Sequence, residues 1–86
     1  MGPWRTTDVD DAILVEGRAC ILKDGVVTAL DDRGCLAWTM CRAGATTEEI
    51  TDVAVATFGR PAVGSAHALI EQTIGDLVTH GLVTAR

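Results

Sequence analysis

Short β-prone apolar runs fill the first third of the chain, and a helical period takes over after it. Ala12-Ile13-Leu14-Val15, Ala19-Cys20-Ile21-Leu22 and Val26-Val27-Thr28-Ala29-Leu30 are rich in β-branched residues, as strands prefer. Glu16-Gly17 punctuates the first pair. Lys23-Asp24-Gly25 separates the second, and an Asp-Gly step between strand runs signals a hairpin because glycine accepts positive φ. From Asp31-Asp32, either of which can cap a helix, the spacing of Leu36, Met40 and Ala43, with Ala37 and Trp38 beside them, predicts a first helix ended by Gly44. Thr46 and Glu49 fit a capping box, and Ile50, Val53, Ala54 and Phe58 form a second stripe closed by Gly59. After the Arg60–Gly64 loop, Ser65 caps a third helix, with Leu69, Ile70, Thr73, Ile74 and Leu77 on its apolar side. His80-Gly81 ends it, and Leu82-Val83 tucks back.

Strands grouped before helices indicate an α+β fold: a three-stranded antiparallel sheet followed by three helices. The turn Gly44-Ala45-Thr46 between the first two helices gives helix-turn-helix packing, and the sheet in front makes it winged. The expectation is a single domain over residues 1–86, with residues 1–8 a flexible lead-in. Trp4 falls in that lead-in, where packing on the domain and contact with a partner both stay open. Trp38, between Leu36 and Met40, reads as a core anchor.

With 86 residues there is room for one core and little else; a deep catalytic pocket is hard to build at this size. Seven Lys and Arg against 12 Asp and Glu leave a net charge of −5, which disfavours nucleic acid and anionic membranes as partners. No apolar run approaches the roughly 20 residues that span a bilayer, and Met1-Gly2-Pro3-Trp4-Arg5 lacks a signal-peptide core. A cytoplasmic location follows by elimination. Cys20, Cys35 and Cys41 are odd in number and lack the C-x-x-C spacing of a zinc site, so they read as small buried or half-buried thiols.

Catalytic candidates are few. His67 and His80 lie thirteen apart on the third helix, with no carboxylate or cysteine at the spacing of a base–nucleophile pair. His67 reads as a rim residue and His80 as a helix-end group that complements the dipole. Asp10-Asp11 and Asp31-Asp32 are adjacent pairs whose side chains point apart, which suits solvated or capping groups better than a metal site. No phosphate-cradling glycine motif is present. The expectation is no enzymatic activity, no cofactor and no metal.

DNA binding or a transcriptional accessory role is the rival reading for a winged helix-turn-helix. Yet the second and third helices carry no Lys or Arg, only Glu48, Glu49, Asp52, Glu71 and Asp76. A purely structural subunit of an enzyme complex is a third reading. What remains is a peptide-binding surface. The strand Val26, Val27, Thr28, Ala29, Leu30 follows a hairpin and can lie at a sheet edge, where its row of N–H and C=O groups accepts another chain. Leu69, Thr73 and their neighbours would then wall a groove. Equally, the edge is covered by the protein's own N-terminus or simply left short.

Over Ala12 to Val83 the arrangement resembles the PqqD-like proteins, the RiPP recognition elements that bind leader peptides of ribosomally made natural products. The likeness is carried by the hairpin into Leu30-Asp31-Asp32-Arg33-Gly34, then Leu36-Ala37-Trp38, then Ala43-Gly44-Ala45-Thr46-Thr47-Glu48-Glu49-Ile50. It closes on Ile70, Ile74, Leu77 and Gly81-Leu82-Val83, similar to the family's L-x-x-L-x-x-x-G-L-V ending. The freestanding members of lasso-peptide pathways are the most similar in character. The chain departs from the family pattern in having Leu30-Asp31-Asp32-Arg33-Gly34 where Leu-Asn before a Thr-Gly type pair is usual, Val26 or Val27 where an aromatic is common, and Leu69 where an acidic residue is often seen. The resemblance implies a non-catalytic carrier. A precursor's leader region would pair with Val26 to Leu30 as an extra strand. Leu69, Ile70 and Thr73, together with Ala66 and Leu77, would line the other side. The partner would be a maturation enzyme such as a leader peptidase or a radical-SAM enzyme.

Overall fold

The computed structural model describes residues 3–85. Its elements run β1 (Trp4–Thr6), β2 (Asp11–Val15), β3 (Arg18–Lys23), β4 (Val26–Leu30), α1 (Asp32–Cys41), α2 (Thr47–Phe58), α3 (Ala66–Thr79) and β5 (Val83–Ala85). This is an α+β fold with three helices and a three-stranded antiparallel sheet in the order β2-β3-β4. Two tight hairpins build the sheet. Glu16-Gly17 and Asp24-Gly25 each place both turn residues at positive φ (52° and 79°; 53° and 79°). That is the primed turn whose twist matches the flanking strands.

The lead-in is the clearest departure from the sequence reading. Trp4–Thr6 is a strand paired antiparallel with β5, so not every strand precedes the helices. Trp4 N–H donates to Ala45 O at 2.7 Å, and Ala45 N–H donates back at 3.0 Å. The Trp4 indole N–H donates to Thr47 Oγ1 at 3.0 Å. Trp4 thus joins the C-terminus to the α1–α2 turn, and half-buries its ring in doing so. Met1 and Gly2, also in the expected lead-in, lie outside the described residues.

The helix caps follow the sequence. Asp31 Oδ1 accepts from Gly34 N–H at 2.8 Å. Thr46 and Glu49 close a reciprocal capping box, and Ser65 Oγ accepts from Ala68 N–H. The buried face of α1 differs from the Leu36–Met40–Ala43 phase. Gly34, Cys35, Ala37, Trp38 and Cys41 are buried, Leu36 and Met40 are half-buried, and Ala43 lies past the helix. Trp38 anchors that face in the core, and Gly34 is small because the helix start sits tight on β4: a Cβ on Gly34 would come 3.3 Å from Leu30 Cβ. On α2, Ile50 and Ala54 are buried while Val53 and Phe58 stay exposed. Ile21, Trp38, Ile50, Ile70, Ile74, Leu77 and Leu82 form the centre of the core. Arg42 stacks its guanidinium 5.4 Å from the centroid of the Trp38 ring. No helix among the described residues is long and apolar enough to cross a membrane.

Candidate peptide-binding edge and groove

The sheet order leaves β4 paired on one side only, with β3. Its register is Lys23↔Val26, Leu22↔Val27, Ile21↔Thr28, Cys20↔Ala29 and Ala19↔Leu30. A two-residue primed turn makes its flanking pair, Lys23 and Val26, a hydrogen-bonded pair. Antiparallel alternation then assigns Thr28 and Leu30 to β3 as well. The N–H and C=O groups that point away from the sheet are therefore those of Val27 and Ala29. Thr28, at the centre of the strand, spends its main-chain groups on Ile21.

The pleat places side chains the other way round. Val26, Thr28 and Leu30 share a face with buried Ile21 and Ala19, whereas Val27 and Ala29 lie on the outer face. Beside the inner face runs a groove. Near α1 it holds a cavity of about 270 Å³ lined by Thr28, Ala29, Leu30, Asp31 and Gly34 on one wall. Thr73, Asp76 and Leu77 of α3, with its C-cap His80, form the other. It continues toward the Asp24-Gly25 turn as a cavity of about 340 Å³ that includes Lys23, Val26, Thr28, His80 and Leu82. Lys23 Nζ is fixed there by Gly81 O at 2.6 Å and Thr7 Oγ1 at 2.9 Å.

Four of the sequence-derived strand residues, Val26, Thr28, Ala29 and Leu30, and two of the helix residues, Thr73 and Leu77, therefore meet across one groove. Val27 offers its main-chain groups at the edge, but its side chain lies on the outer face with Ile13, Cys20 and Leu22. Ala66, Leu69 and Ile70 do not join the groove. Ile70 is core, 1% exposed, and all three line a separate small depression with Arg33, Phe58 and Pro61. The reason is helix length: α3 runs past the sheet, and only its C-terminal half stands beside β4. Asp76 and His80 were missed by the sequence reading. Their signal was present, because 73, 76, 77 and 80 repeat at i, i+3, i+4 and i+7.

Two other expectations change. Cys20 is exposed on the outer sheet face, not buried; Cys35 and Cys41 are buried. Burial pushes the Cys41 thiol up to about 11, far from nucleophilic use. His67 does have carboxylates nearby: Nε2 lies 3.5 Å from Glu48 Oε2, and Nδ1 lies 3.4 Å from Glu71 Oε1. Glu71 is one turn away on α3, but Glu48 reaches it from α2, a contact no local spacing shows. The Glu48 carboxyl is held below its usual range mainly by its own backbone N–H, with His67 adding to it. The cluster is exposed and contains no nucleophile.

What these features define is a small α+β domain with an open strand edge facing a helix across a groove. No protein-family model, curated protein or solved structure matches the chain.

Proposed function

We propose that this protein is a non-catalytic, winged-helix-type recognition domain that holds the leader region of a ribosomally synthesised precursor peptide. It presents that precursor to a maturation enzyme, a leader peptidase or a modifying enzyme, in a pathway of the lasso-peptide kind. The observation that carries the reading is the unpaired edge of β4 with α3 standing off from it.

The leader adds as a fourth strand. Val27 and Ala29 each supply one donor and one acceptor outward. Main-chain bonds are worth about 0.5–1.5 kcal/mol each, against an association cost of about 4–15 kcal/mol. The edge alone does not hold a peptide, so side chains must descend into the groove. Leader residues opposite Val26, Thr28 and Leu30 point there, onto Leu77 and Thr73.

Ala29→Pro tests the reading. It removes an outward donor while leaving the β3 ladder intact, since proline is tolerated where the N–H faces solvent. A fluorescently labelled precursor leader, titrated by anisotropy, is expected to bind roughly ten- to a hundredfold more weakly to this variant. Equal affinity with the fold intact rules out β4 as the docking edge.

A further inference from the structure

We infer that the strand this groove accepts carries a Lys or Arg on its inward face, beside the Thr28–Leu30 stretch; the inference rests on the edge-pairing reading above. Asp31 and Asp76 line the same cavity from opposite walls, one from the end of β4 and one from α3. The Asp76 carboxylate has neither a hydrogen bond nor an ion pair among the described residues. Asp31 uses one oxygen for the Gly34 N–H and leaves the other open.

No basic side chain of the groove pairs with them. His80 lines the same cavity, but its Nδ1 lies 2.8 Å from the Asp76 backbone oxygen and not on either carboxylate. Lys23 sits at the far end and is already committed to Gly81 O and Thr7 Oγ1. Arg33, although next to the α1 cap, lines the depression by Phe58 instead. The positive end of the α1 dipole opens here, but Asp31 caps it. The α3 C-terminal half brings its partial negative charge along the groove, with no basic residue in its last turn. A long cationic side chain fits both halves of the site: its methylenes lie on Leu77 and Thr73, and its head reaches the two carboxylates.

The experiment uses strand peptides with valine on one face and Lys, Gln or Glu on every position of the other, so that register does not matter. Labelled peptides are titrated against wild type, the Asp31→Asn, Asp76→Asn double variant, and Ala29→Pro. Asparagine keeps the α1 cap, so the fold survives. The Lys peptide is expected to bind wild type roughly three- to tenfold more tightly than the Gln peptide, and the Glu peptide worst. The double variant should erase that order, and added salt should compress it. If all three peptides bind wild type alike while Ala29→Pro still weakens them, the cationic preference is wrong and the edge reading stands. A Lys preference that survives the double variant also overturns the inference. If no peptide binds, or if binding ignores Ala29→Pro, the edge reading fails and the inference with it.

Discussion

The sheet has two open edges, and only one of them faces a helix across a groove. β2 mirrors β4: the Glu16-Gly17 turn makes Val15 and Arg18 a bonded pair, so Ala12 and Leu14 turn their main-chain groups outward. On β2, however, the Ala12 N–H is taken by Asp11 Oδ1 at 2.8 Å, which leaves Leu14 as that edge's outward donor. The larger difference lies beside the two edges. β4 faces α3 across a groove with a buried floor, whereas Ile13, Leu14 and Val15 of β2 are all exposed. Because main-chain bonds alone do not offset the cost of association, a free edge becomes selective only where a second element receives the incoming side chains. The contrast lies in packing, since the two hairpins share turn geometry and strand composition.

The comparison can be broken by substitution. Leu77 is 2% exposed and floors the groove, so Leu77→Ala should cost about 2–5 kcal/mol in urea unfolding. Leu14→Ala, on the open edge, should stay within about 0.5 kcal/mol. In binding, Leu14→Pro should leave leader affinity unchanged where Ala29→Pro lowers it; equal losses would make the edges equivalent. Thr28→Pro sharpens the point by shifting one residue along β4. Its N–H serves β3, so the variant should lose about 1–3 kcal/mol of stability as well as binding.

A smaller effect separates the cysteines. The Cys41 thiol is held near 11 by burial, above its ordinary value of 9.0. Between those values the unfolded chain gives up the proton and the folded one keeps it, so stability falls as pH rises from about 9 to about 11. Cys41→Ser should flatten that slope, read as the urea midpoint against pH. Cys20 lies open on the outer face and should react first with an alkylating reagent.

Local pattern carried much of this. Val26–Leu30 has the same bounds in sequence and structure, and the caps at Asp31, Thr46 and Ser65 form as their side chains dictate. Each depends on residues within a turn of one another. The pairing of β1 with β5 joins Trp4 to Ala85, and no window along the chain contains both. On α1 the buried face centres on the flanking Ala37 and Trp38 rather than on the Leu36–Met40–Ala43 spacing, because Trp38 fills the core and Gly34 sits tight against Leu30. On α3 the face was right and the position along it wrong. Which half stands beside the sheet is set by packing against α1 and α2, so Leu69 fell outside the groove and Asp76 within it.

The central claim is that the outward amides of β4 are where another chain pairs. Amide hydrogen exchange, followed residue by residue with and without a saturating precursor leader, reads it directly. Val27 and Ala29 should slow at least about tenfold on binding, with Leu14, the outward donor of β2, unaltered. Protection that appears on Leu14 instead, or on neither edge while the leader is bound, would contradict it.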